Sequence, residues 1–88
     1  MELSEDIQSI ITLLNNVDDL IVMSSKRSEA KDVMDAIQIF AKSHHIQLPE
    51  DQIEDFYDLL YDSRPNTLSG LLKNIAHDLV VQDKMKRS

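Results

Sequence analysis

The sequence predicts an all-α fold: a small antiparallel four-helix bundle made by a single domain of residues 1–88. Three observations lead there. Apolar residues recur at helical spacing in four successive segments. Chain breakers are scarce, with one glycine (Gly70) and two prolines (Pro49 and Pro65), too few for a many-stranded fold, which needs turn residues about every 8–12 positions. Hydrophobic residues make up 42% of the chain and charged residues 28%, a globular balance rather than a disordered one. A chain this short buries only about 60–65% of its unfolded surface, so the core must be compact and well filled.

The first helix is expected over residues 4–23. Leu3, Ile7, Ile10, Leu14, Val17 and Ile21 are spaced alternately by four and three, a seam along one face. Ser4 is a suitable N-cap, and Glu5 and Asp6 place negative charge in the first turn, where the helix dipole favours it. Ile11, Leu13 and Leu20 widen the stripe to roughly half the circumference. A helix this apolar is either central to a bundle or half of an oligomer interface. Ser24-Ser25-Lys26-Arg27-Ser28 interrupts the pattern, with Lys26 and Arg27 suited to the C-terminal end of the first helix. One long helix bent at the serines is the alternative, because no proline or glycine forces a break there.

The second helix is expected over residues 28–43, with Ala30, Val33, Met34, Ile37, Phe40 and Ala41 on its buried face. His44 to Leu48 reads as a connector, after which Pro49 takes the first helical position of a third helix, 49–62. Ile53, Phe56, Tyr57 and Leu60 form the apolar face of that helix. Residues 62–67 make the next loop, since Pro65 disfavours helix before it. Asn66 or Thr67 then caps a fourth helix over 67–83, which buries Leu68, Leu71, Leu72, Ile75, Ala76 and Leu79. Gly70 lies inside that helix at a cost of about 1 kcal/mol relative to alanine, which points to close helix packing at that site. Lys84, Lys86 and Arg87 form a basic, frayed tail. Loops of about 4–6 residues favour antiparallel neighbours.

Several function classes are disfavoured. The chain has no cysteine, hence no disulfide framework and no thiolate metal site. Its longest apolar run is the four residues Leu20 to Met23, so no segment reads as a membrane span or a signal peptide, and a cytoplasmic protein is expected. A formal charge of −7 argues against nucleic acid as partner. His44, His45 and His77 lack the spacing that puts two imidazoles on one helical face, so solvent-exposed histidines are expected rather than a metal site. Catalysis is not expected either. The serines sit at caps and turns, a single glycine cannot build a phosphate loop, and four short packed helices leave little room for a cleft. No cofactor is implied.

The third helix carries the one candidate surface. Six acidic residues and no basic one lie between Glu50 and Asp62. Asp51, Glu54, Asp55, Asp58 and Asp62 fall on one helical arc of about 100°. The i, i+4 pairs Asp51–Asp55, Glu54–Asp58 and Asp58–Asp62 repel, with no lysine to relieve them. Tyr61 falls at the edge of this arc, and Tyr57 lies between the arc and the core. Tyrosine anchors ringed by carboxylates suit contact with a cationic protein, the ring supplying buried area and the charges steering. The plainer reading of the same stripe is a solvated face on an acidic protein.

Asp58-Leu59-Leu60-Tyr61, followed by a loop and Ser69-Gly70-Leu71-Leu72, resembles the immunity proteins of colicin and pyocin nucleases. Those are small acidic four-helix proteins that bind and inhibit a basic toxin. The likeness covers 15 to 20 residues plus size, charge and helix count. This chain departs from that family in lacking its adjacent tyrosine pair followed by proline, its tryptophan-arginine motif and its glycine-rich tail. Ile46-Gln47-Leu48-Pro49-Glu50-Asp51 is also similar to the turn entering the third helix of acyl carrier proteins. Ser28, however, is flanked by Arg27 and Glu29 rather than by the aspartate and leucine of their attachment motif.

The expectation is therefore a non-enzymatic binding module that inhibits or regulates a basic protein partner, such as a toxin or nuclease, through Asp51, Glu54, Asp55, Tyr57, Asp58, Tyr61 and Asp62. A homodimer or assembly component associating through the first helix is the alternative.

Overall fold

The computed structural model describes residues 4–23, 26–61 and 65–87. Four helices follow one another: α1 (Glu5–Val22), α2 (Arg27–Ser43), α3 (Glu50–Leu59) and α4 (Pro65–Arg87). There is no strand among the described residues. The molecule measures 40 × 21 × 21 Å. Its long axis is set by α4, whose 23 residues span about 34 Å at 1.5 Å per residue.

Helix α1 is the central element, packed against both α2 and α4, while α3 packs on α4. Its seam residues Ile7, Ile10, Leu14, Val17 and Ile21 are all buried. Ser4 caps it, its hydroxyl accepting from the Ile7 amide. Asp83 is the one buried acid among the described residues, and it accepts from the Ser4 amide at 3.3 Å. It continues the inward row Leu68, Leu72, Ile75 and Leu79 of α4 and sits where the positive end of the α1 dipole favours a carboxylate. At the other end of the same pair, the Ser69 hydroxyl donates to Asp18. The start of α1 thus meets the end of α4, and its end meets the start of α4, so the two run in opposite senses. Leu14, Ile37, Phe56 and Ile75, one from each helix, all lie in the single apolar core.

Four local expectations are corrected. Lys26 and Arg27 do not end α1. Lys26 is the N-cap residue of α2 and Arg27 opens it, so α1 and α2 are separate helices. Basic charge is unfavourable at that end. Lys26 offsets it by pairing with Glu29 at 3.3 Å, and the Arg27 guanidinium donates to the carbonyl of Leu60. Pro49 is the N-cap of α3 rather than its first residue, its carbonyl accepting from the Gln52 and Ile53 amides at 3.1 and 3.0 Å. Helix α3 stops at Leu59, short of residue 62, and the Arg27 guanidinium donates to the Leu60 carbonyl, one of the end carbonyls that a helix leaves without an internal partner. Helix α4 is longer at both ends. Pro65 holds its first position, where a missing N–H costs nothing, so Asn66 and Thr67 lie within the first turn. It continues to Arg87, since the basic residues there are good helix formers and suit the negative end of the dipole.

Gly70 is a further correction. A Cβ placed there would meet nothing within 4 Å, so no close helix packing explains the glycine.

Candidate functional site

Helix α3 forms because Ile53 and Phe56 recur on one face, followed by buried Leu60, while Glu50 and Asp51 charge its first turn. That phase turns the remaining acids outward. Asp51, Glu54, Asp55 and Asp58 are all exposed. Among the described residues no ion pair neutralises any of them, and the ion pairs present lie on α1 and α2. The structure therefore brings four of the predicted carboxylates onto one outer face of α3. Asp62 lies outside the described residues.

The two tyrosines separate. Tyr61 follows α3 in a turn and is 59% exposed. Tyr57 is half-buried, with its ring edge-on to Phe56 at 5.6 Å. Its hydroxyl donates to the Asp35 carboxylate at 2.5 Å and accepts from the Gln38 amide at 2.6 Å. Burial, reinforced by the Asp35 hydrogen bond, raises the Tyr57 phenol well above its ordinary value. The Tyr57 hydrogen bond, with help from Lys31 at 3.3 Å, holds the Asp35 carboxyl below the usual range despite some desolvation. Tyr57 therefore pins α3 to α2, and Tyr61 is the tyrosine whose ring stands open.

The connector from α2 to α3 holds a backbone motif and two grooves that residue spacing does not reveal. Helix α2 ends with His45 in the left-handed region (φ 58°). The amides of His45 and Ile46 bond back to the carbonyls of Lys42 and Ala41, the pair that defines a Schellman motif. Ile46 is thereby turned into the core. The side chain of Gln82 grips the Gln47 backbone, donating to its carbonyl at 2.7 Å and accepting from its amide at 3.4 Å. Two surface grooves flank this connector. One of about 640 Å³ lies toward α4, with Glu50, Asp51 and Asp78 on its walls. The other, of about 510 Å³, lies between α2 and α3 over Ala41, Ile46 and Ile53. Gln52 carries a buried Oε1 without a hydrogen-bond partner.

The histidines are exposed. The His44 ring lies 4.2 Å from that of Phe40, and its Nδ1 is 3.4 Å from Asp6. Among the described residues no three potential ligands are grouped to hold a metal ion, and no helix is long and apolar enough to cross a membrane. No protein-family model matches the chain, and no curated protein or solved structure is significantly similar to it.

Proposed function

We propose that the chain is a protein-binding module that presents the outer face of α3 to a basic protein partner and thereby inhibits or regulates it, in the manner of an immunity protein or antitoxin in the cytoplasm. The observation that carries this reading is the run Asp51, Glu54, Asp55 and Asp58, exposed on one short helix with no ion pair to a cation among the described residues. Stacked like charges cost a helix a few tenths of a kcal/mol per i, i+4 pair. A solvated face needs no such concentration, whereas a docking face gains both steering and selectivity from it. Exposed Tyr61, in the turn that follows α3, supplies an apolar anchor near the C-terminal end of that helix. The alternative of a homodimer built on α1 has less to support it, because all five buried seam residues of that helix already pack inside one copy.

The test is charge reversal. The double variant Asp55→Lys with Asp58→Lys should stay folded, because both residues are exposed. In co-purification from the source cell it should lose a basic protein that the wild type retains. For the purified pair, association should slow, most strongly at low salt, because steering is screened over about 8 Å at physiological ionic strength. Unchanged rates and salt dependence would sink the proposal.

A further inference from the structure

Helices α2 and α3 do not pack along their lengths: α2 is committed to α1 and α3 to α4. Tyr57 bridges them through Asp35 and Gln38, and beyond that bridge the groove of about 510 Å³ opens toward the connector. Ala41, Ile46 and Ile53, with half-buried Leu48 beside them, give it an apolar strip, and Gln38 and Gln47 complete the lining. On the α3 wall stand Glu50 and Glu54, one turn apart and exposed. Lys42 stands on the α2 wall and pairs with neither, so two carboxylates face one ammonium across an apolar bed.

We propose that this groove seats one lysine or arginine side chain of the basic protein partner. The aliphatic stem lies along Ala41, Ile46, Leu48 and Ile53, and the charged head meets Glu50 and Glu54. Long cationic side chains have this two-part chemistry, an apolar stem and a polar tip. Lys42 repels the head from the α2 wall and so directs it to the glutamates. The source is a protein side chain because the groove is continuous with the acidic outer face of α3, where Asp51, Asp55 and Asp58 receive the neighbouring positive charges. The inference rests on the proposed docking role of that face and adds to it a specific seat, which depends on stem length as well as on charge.

Two peptides of equal charge separate the two ideas. One is a glycine-flanked tetralysine; the other replaces each lysine by diaminobutyrate, which keeps the amine and removes two methylenes. Both are titrated at pH 6 and low salt into the isotope-labelled full chain, followed by the backbone and methyl NMR signals. The lysine peptide should shift the methyl signals of Ala41, Ile46, Leu48 and Ile53 and bind about fivefold more tightly than the shorter analogue, since each buried methylene favours binding. Glu54→Gln should weaken the lysine peptide about threefold and Lys42→Gln should tighten it by a similar factor, with circular dichroism unchanged. Equal binding of the two peptides, with shifts confined to Asp51, Asp55 and Asp58, would overturn the groove and leave the acidic docking face standing. No binding of either peptide at low salt would overturn both.

Discussion

Tyr57 shows how far a single residue can be read before the fold is known. Its phase on α3 places it between the acidic arc and the core, and it is half-buried there. What the phase does not give is the hydroxyl's partners, Asp35 and Gln38, which lie 22 and 19 residues away along the chain. Tyr57→Phe should destabilise the protein by about 1 kcal/mol, measured by urea unfolding, a modest value because Asp35 stays partly exposed. The pH dependence fixes the sign. The Asp35 carboxyl is depressed below the ordinary carboxylate value in the folded state, so its contribution is present above that ordinary value and is lost as pH falls through the lowered one. The Tyr57 phenol is raised above the ordinary tyrosine value, so its contribution is present below that ordinary value and is lost as pH rises through the raised one. Both edges should flatten in the phenylalanine variant. Gly70 gives a simpler case. With open space where a Cβ would stand, Gly70→Ala should raise stability by about 0.5–1 kcal/mol, read as a higher urea midpoint. A lower midpoint would mean that the glycine serves a contact absent from this fold. His45 is the converse, a left-handed position held by a residue other than glycine. No local signal marks it, because the motif is defined by backbone bonds to Lys42 and Ala41 rather than by residue type.

At the scale of elements, α1 was the most legible. An unbroken seam, a serine cap and two acids in the first turn all specify the same helix, and agreement between local signals is what makes a segment readable. The other helices lie where residue spacing places them, but α3 and α4 end at positions that the spacing does not give. Arg27, 33 residues away along the chain, donates to the Leu60 carbonyl at the end of α3, and nothing near Leu59 announces it. The phases themselves make a strong claim. Leu14 and Ile75 lie on α1 and α4, the pair that forms one flank of the core, and both are buried. Leu14→Ala and Ile75→Ala should each cost about 2–5 kcal/mol, from lost transfer energy plus the cavity left behind. Chemical denaturation checks this directly, and an unchanged midpoint in both variants would contradict the packing. Val81→Ala, on the partly exposed outer side of α4, is the control and should change stability little.

For the molecule as a whole, the arrangement around α1 decides what surface remains. Ile11, Leu13 and Leu20 flank its seam and are partly buried against the core, so the broad apolar arc is largely used within one chain. The exposed large apolar residues are spread over α1, α2, α4 and the turn after α3, as with Val22, Ile39, Met85 and Tyr61. With a formal charge of −7 added, self-association has little to drive it. Sedimentation equilibrium at micromolar concentration should return a single species of 10.1 kDa. A stable dimer whose interface protects α1 from hydrogen exchange would instead favour assembly as the protein's role.

The sequence by itself determined the helical class, the four-helix order, the buried face of each helix and the acidic arc, because each depends on residue spacing within one element. Tertiary structure decided the rest: that α1 lies between α2 and α4, that Tyr57 points inward while Tyr61 stands open, where α3 ends, and that a groove lies between α2 and α3. Those features arise where distant segments meet. Spacing along a single helix carries no information about which neighbour its edge residues will find, so the acidic face was readable from the sequence and the seat beside it was not.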